Sequence, residues 1–143
     1  MDAATANTIC CHNTVGAEYA GYWATTGFLP LARAAAAAPG APPMTFYDST
    51  TGIPLFRAPV NRTWDEFISE STHHGWPSFR YAEAILANLR TDNGEVLASG
   101  FGEVRSVNGT HLGHNIPDAS GDRYCIDLVC IAGTASPQIS RLP

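Results

Sequence analysis

From Met44 onward the chain is built of short runs of aromatic and β-branched residues, each closed by turn-forming residues, and this leaves room for little except a small antiparallel β domain. Met44 to Ser49 is the first such run, and Thr50-Thr51-Gly52 turns it into Ile53 to Arg57, which predicts a hairpin. A strand starting near Ala84 meets Thr91-Asp92-Asn93-Gly94, and a partner follows from Glu95 through Val107, with Gly100 and Gly102 as bulge positions. Asp118-Ala119-Ser120-Gly121-Asp122 then introduces an extended segment from Arg123 to Val129. The one strong helix signal is Thr63-Trp64-Asp65-Glu66, a capping box that opens a helix from Thr63 to Thr72 and sets Trp64, Phe67 and Ile68 on one face. The expected fold is mainly β with a few short helices.

Residues 1–43 read differently. They are rich in Ala, Thr, Gly and Pro, and the run Ala34 to Ala38 ends at Pro39-Gly40-Ala41-Pro42-Pro43, a linker composition within which Leu29 to Ala38 forms a short helix stopped by Pro39. The expected organisation is therefore a 1–43 segment ahead of a 44–143 domain. The first basic residue is Arg33, so no signal peptide is read. With 143 residues, 45% apolar content and a net charge of −5, the chain suits one globular core and offers no basic patch for nucleic acid. It also lacks the run of roughly 18 apolar residues that a membrane helix needs. Four cysteines without a C-x-x-C pair suggest no disulfide framework, which points to a reducing, cytoplasmic setting.

The chemistry gathers between Gly109 and Cys130. Cys125 sits on the expected Arg123 to Val129 strand, where a thiol can be held at a fixed attack angle. A thiol becomes a strong nucleophile when ionised, and Arg123, His111 and His114 are the nearest sources of positive charge in sequence. Either histidine can act as a general acid for a leaving oxygen, with Asp118 to orient it. Alternatively Cys125 is an inert buried cysteine and the histidines serve a turn. A metal held by His111, His114 and Cys125 is a poor zinc pattern, because histidines at i and i+3 on a loop lack a further ligand pair.

The wording of these segments resembles the B-type methionine sulfoxide reductases, which reduce the R epimer of methionine sulfoxide. His111-Leu112-Gly113-His114-Asn115-Ile116-Pro117-Asp118 and Arg123-Tyr124-Cys125-Ile126-Asp127 resemble the family's HLGH-x-x-PD and RYCIN motifs. Gly75-Trp76-Pro77-Ser78-Phe79 resembles GWPSF, Gly52-Ile53-Pro54-Leu55-Phe56 resembles G-x-PLF, and Glu103-Val104-Arg105 resembles EVR. Gly21-Tyr22-Trp23 resembles part of the family's GEYW segment. The resemblance implies an Mss4-like antiparallel β fold and a thiol reaction in which Cys125 attacks the sulfoxide sulfur. It implies that His114, supported by Asp118, protonates the oxygen, with His111 completing the polar wall and Arg123 holding the thiolate. Trp76 would contact the substrate methyl group and Phe79 would back it.

Cys125 would be left as a sulfenic acid, resolved by a second thiol and reset by an external reductant such as thioredoxin or dithiothreitol, with no bound cofactor. Methionine sulfoxide, free or in an oxidised protein, is the implied substrate. The family's zinc-binding cysteine pairs are replaced by Asp48 and Thr51 and by Ser106-Val107-Asn108-Gly109, which resembles the zinc-free branch. Two further departures matter. Asp127 stands for the family's Asn and sets a negative charge beside the nucleophile and the substrate. His74 stands where many members carry the resolving cysteine, so that thiol is expected from Cys10 or Cys11. Cys130 is expected on the same strand as Cys125, roughly 16 Å away and facing the opposite side, so it is excluded as the resolving thiol. The rival expectations are a reductase of another small-molecule sulfoxide and a binding module of the Mss4-like fold without redox activity.

Overall fold

The computed structural model describes residues 3–12, 18–37, 40–91, 94–96, 100 and 102–132. Among the described residues three α-helices precede the first strand: α1 (Ala3–Asn7), which continues into a π-helical turn at Thr8–His12, then α2 (Tyr22–Thr25) and α3 (Phe28–Ala37). Strands β1 (Met44–Tyr47) and β2 (Pro54–Ala58) pair as the expected antiparallel hairpin. Helix α4 (Trp64–His74) follows, and then β3 (Ser78–Arg80), β4 (Leu89–Thr91), β5 (Gly102–Ser106), β6 (His111–Asn115) and β7 (Arg123–Ile126). These five strands form an antiparallel sheet in the order β3-β7-β6-β5-β4. The protein is thus mainly antiparallel β with short helices. Among the described residues no helix is long and apolar enough to cross a membrane.

Helix α4 starts where the capping box places it: Thr63 Oγ1 accepts from the Glu66 N–H at 3.1 Å, and the Glu66 carboxylate accepts from the Thr63 N–H at 2.9 Å. It buries Trp64, Phe67 and Ile68, with Phe67 against Phe46 and Phe79 of the sheets, and it ends at Gly75, whose φ of +92° closes the helix without a Cβ clash. The core between the two sheets is aromatic. Phe56 and Phe79 stack at 4.3 Å, and Phe46, Phe67 and Tyr124 surround them. Trp23 is a fully buried anchor of the same core, against Phe28 and Phe67.

Three expectations change. The two histidines lie on a strand, not on a loop. The extended run from Arg123 stops at Ile126, because Leu128–Cys130 winds into a 3-10 turn whose Leu128 and Val129 amides are taken by the buried Glu18 carboxylate. And Cys10 and Cys130 form a disulfide, so the expectation of no disulfide fails, together with the argument it carried for a reducing compartment, while Cys11 and Cys125 stay free. The pairing is possible because Cys130 has left the strand and turned toward the π-helical segment that carries Cys10. The tip of the expected turn at Asp92-Asn93, the helix stop at Pro39 and part of the run from Glu95 lie outside the described residues.

The turns where the resemblance places zinc ligands meet through a different contact. Asp48 is fully buried, and its carboxylate accepts from the Thr110 hydroxyl at 3.0 Å to each oxygen and from the Thr50 N–H at 2.8 Å. A charge-assisted hydrogen bond thereby joins the β1–β2 turn to the β5–β6 turn.

Candidate active site

Cys125 lies in the middle of β7, between Ser78 of β3 and His114 of β6 in the sheet register. Arg123, two residues earlier, projects from the same strand face. Its Nη1 donates to Cys125 Sγ at 3.0 Å. The thiol borders a pocket of about 270 Å³ lined by Trp76, His111, Gly113, His114, Ile116 and Asp127. Larger clefts, about 660 and 690 Å³, run along α4, but no cysteine lines them.

Residues three apart on a strand ordinarily face opposite sides, and a bulge brings His111 and His114 together. Val104 pairs with Gly113 while Arg105 pairs with His111, so Leu112 is the extra residue on β6 and the strand rotates there. The two imidazoles then sit 5.8 Å apart on one wall of the pocket. Gly113 permits the close approach of β6 to β7, since a Cβ there would fall on the Cys125 carbonyl oxygen and within 2.9 Å of Ile126 Cα.

His111 is buried between two carboxylates. Its Nδ1–H donates to Glu103 Oε2 at 2.6 Å, and its Nε2 lies 3.5 Å from Asp127 Oδ2, an ionic contact rather than a formed hydrogen bond. Burial works against protonation, but Asp127 and Glu103 outweigh it and hold His111 above its ordinary value. Burial likewise pushes the Cys125 thiol up; Arg123 pulls it down through the hydrogen bond and its charge, while Asp127 and Glu70 push it further up. The balance leaves Cys125 above its ordinary value, so Arg123 moderates the thiol without making it a resting thiolate.

The other side of the thiol is a ladder of ion pairs. Arg62 binds Glu83 at 2.6 Å and Glu70 at 3.3 Å, and Arg80 binds Glu70 at 2.6 Å. Arg80 also donates to both oxygens of Asp118 at 2.9 Å. Asp118 Oδ2 in turn lies 3.9 Å from Arg123 Nε, too far for a hydrogen bond. The Arg80 guanidinium holds the Asp118 carboxyl far below the usual carboxylate range. Asp118, expected behind His114, therefore gives both oxygens to Arg80 and stands at the Arg123 end of the site.

Trp76 is half-buried on the pocket wall, and its indole N–H donates to the Glu18 carbonyl at 2.9 Å. Phe79 is not there. It pairs with Tyr124 on the core face, because strand alternation turns residue 79 away from the side that Ser78 and Cys125 share, and it is fully buried against Phe56. Asp127 lines the pocket, and its Oδ1 accepts from the Glu18 N–H at 3.3 Å. Of the expected resolving thiols, Cys10 is bonded to Cys130, while Cys11 is free and exposed, 3.9 Å from the Thr50 hydroxyl. His74 lines the cleft that holds Glu70 and Arg80, not the Cys125 pocket, and burial together with the Arg123 charge lowers its basicity.

Glu18, Arg80 and Glu70 were missed as site residues, and Glu103 was noticed only as part of a motif. Glu103 pairs with His114 in the β5–β6 register, which a hairpin pairing of its segment with His111 to Asn115 would have suggested. No local signal marks Glu18. Among the described residues no group of three or more His, Cys, Asp or Glu side chains is placed to hold a metal ion. Comparison with family models, curated proteins and solved structures gave no match for this chain.

Proposed function

We propose that the chain is a thiol-dependent methionine-R-sulfoxide reductase of the B type and the zinc-free branch, with the Mss4-like arrangement that this family implies. The observation that carries the reading is the hydrogen bond from Arg123 to Cys125 Sγ, 3.0 Å long, on the wall of a small pocket that also holds an indole and two imidazoles. The methylsulfinyl group would rest on Trp76, whose ring offers an apolar, polarisable face. Cys125 attacks the sulfoxide sulfur, the oxygen is protonated by an imidazolium, and the net first step is transfer of one oxygen: thiol and sulfoxide become sulfenic acid and thioether. A second thiol then condenses with the sulfenic acid to a disulfide and releases water, and a dithiol reductant reduces that disulfide through a mixed disulfide, its own two thiols closing to a disulfide.

His111 is the better-placed acid on electrostatic grounds, since two carboxylates favour its protonated form. His114 stands beside Cys125 across the β6–β7 pairing and can pass the proton on. A thioredoxin-like protein or a small dithiol is the proposed reductant, with oxidised proteins or free methionine sulfoxide as substrate, and Cys11 is the proposed resolving thiol within the chain. The deciding experiment is turnover of the R and S sulfoxides of N-acetylmethionine with dithiothreitol: reduction of the R epimer alone supports the reading, and absence of both activities defeats it.

Asp127 favours a second reading, a reductase of another small sulfoxide. A buried carboxylate on the pocket wall suits a substrate carrying an N–H or cationic group near the sulfoxide. Faster turnover of an amino-substituted dialkyl sulfoxide than of N-acetylmethionine sulfoxide would select it.

A further inference from the structure

We propose that Glu18 is a positioning residue for the Cys125 pocket, setting the Trp76 indole and the Asp127 carboxylate in place from the N-terminal segment; the inference rests on reading that pocket as a sulfoxide site. Glu18 is 2% exposed and belongs to the 1–43 segment, away in sequence from the motifs that carry the thiol and the histidines. Its hydrogen bonds nonetheless reach the elements that frame the pocket. The carbonyl accepts from the Trp76 indole N–H at 2.9 Å, and the backbone N–H donates to Asp127 Oδ1 at 3.3 Å. The carboxylate accepts from the Leu128 N–H at 2.7 Å and the Val129 N–H at 3.2 Å, directly after Asp127. One residue thereby ties the turn after α4 to the end of β7. The Cys10–Cys130 disulfide fastens the same N-terminal segment to the same 3-10 turn.

The arrangement depends on charge. An ionised carboxylate offers an oxygen to each amide, whereas on protonation one oxygen becomes a hydroxyl that meets an N–H, donor against donor. Asp127 faces Glu18 from the end of β7, and Tyr22 interacts with it from α2. Behind Asp127 stand His111 on β6 and, beyond it, Glu103 on β5. Burial raises the Glu18 carboxyl to about 7, with the Leu128 and Val129 amides resisting and Asp127 adding to the rise. The clamp is consequently complete above neutral pH and loosened below it.

The test compares wild type with Glu18→Gln, which keeps the side-chain shape and the backbone contacts but cannot carry the charge. In reduction of N-acetylmethionine R-sulfoxide with dithiothreitol between pH 5.5 and 8.5, the wild-type KM should fall severalfold as the pH passes about 7. Glu18→Gln should raise KM about tenfold at pH 8, hold kcat within about twofold and lose that inflection. An unchanged KM, or an inflection near neutrality that survives the substitution, overturns the proposal. If Glu18→Gln does not fold, Trp76→Phe removes the indole donor and leaves Glu18 intact. The wild-type inflection in KM should then shrink, and its persistence at full size overturns the proposal.

If neither wild type nor variant reduces any sulfoxide, the reductase reading fails separately. Iodoacetamide labelling of Cys125, followed by mass spectrometry in a Cys11→Ser background, then decides the role of Glu18. Labelling profiles against pH that differ between Glu18 and Gln support positioning, and superimposable profiles overturn it.

Discussion

The two sides of Cys125 are built on opposite principles. On the side toward α4, acids and bases alternate: Glu83, Arg62, Glu70, Arg80, Asp118 and then Arg123, which touches the sulfur. On the side toward the N-terminal segment, Glu103 and Asp127 flank one imidazole, Glu18 binds Asp127 through its backbone N–H, and the unpaired Oδ2 of Asp127 has His111 only at 3.5 Å. The first side is a charge-balanced scaffold that presents a guanidinium to the thiol. The second is an acid-rich wall that can store protons. A cysteine in contact with arginine still has its thiol pushed up because burial, Asp127 of the acid wall and Glu70 of the ladder together oppose the single cation that reaches it.

The comparison collapses if Cys125 is not the reacting group, so the largest effect is expected there. Cys125→Ser should cut turnover on the order of a thousandfold or more while leaving the melting temperature within a few degrees, as measured by steady-state assay and thermal melt. Retention of most activity would mean that neither side serves this thiol.

The next effect is on stability, where the two sides should tilt the pH curve in opposite directions. Asp118 is depressed by its hydrogen bonds to Arg80, and Glu70 by Ser78 and Arg80 against the effect of burial, so the ladder's contribution is present above ordinary carboxylate values and is lost as pH falls through the depressed ones. Glu18 behaves in the other sense. Its folded value is raised from 4.5 to about 7, so the folded state holds a proton that the unfolded chain has released, and stability falls as pH rises across that window. At about 1.4 kcal/mol per pH unit the ionised Glu18 costs the fold about 3 kcal/mol. His111 adds to this slope, since its raised value stabilises the fold below 6.5 and ceases to do so as pH rises through the folded value. Thermal melts should therefore peak near pH 5 and drop by roughly 5 to 10 °C by pH 8, and Glu18→Gln should flatten that drop. A melting temperature that climbs from pH 5 to pH 8 in wild type would contradict the acid-wall picture.

The same division decides what could be read from the residues alone. The thiol, its arginine and Trp76 stand in short motifs whose local pattern already implies a strand and a turn, so their neighbourhood is legible in the sequence. The helix over the sheet was equally legible, because a capping box is a local device. The acid wall was not, because it depends on long-range packing. Glu18 reaches Leu128 across 110 residues, and the same side chain could as well have been a solvated surface acid. The bulge at Leu112 that turns His111 inward is set by the register against β5, and nothing within β6 announces it. Phe79 was misplaced because its motif is contiguous while strand alternation separates its neighbours onto two faces. Cys130 was misplaced because Val129 is β-branched and favours a strand that the Glu18 carboxylate overrides.

Arg123 tests the contact between the two sides. Arg123→Met removes the charged donor at Cys125 Sγ and should lower kcat/KM by about ten- to a hundredfold, in keeping with about 2 kcal/mol for a hydrogen bond to a charged group. The pH profile of Cys125 alkylation should also move to higher pH, because burial, Asp127 and Glu70 then act without a counterweight. An alkylation profile that stays in place would show that the guanidinium does not tune the thiol.

The smallest expected effect is the most discriminating, because it has opposite signs in two measurements. Asp127→Asn keeps an oxygen for the Glu18 N–H and removes the negative charge that opposes ionisation of Cys125. The thiolate fraction at pH 7 rises, but a less basic thiolate is also a weaker nucleophile, so only part of the gain survives. Iodoacetamide should then label Cys125 about twofold faster than in wild type, with Cys11 replaced by Ser so that one thiol is read. The same substitution takes one of two carboxylates from His111 and lowers the pH at which the imidazolium is lost. If that imidazolium protonates the departing oxygen, sulfoxide turnover at pH 8 should fall severalfold in the variant whose thiol has become more reactive. Parallel changes, with labelling and turnover both rising or both falling, would remove His111 from the proton path and leave the acid wall with the task of holding the pocket in shape.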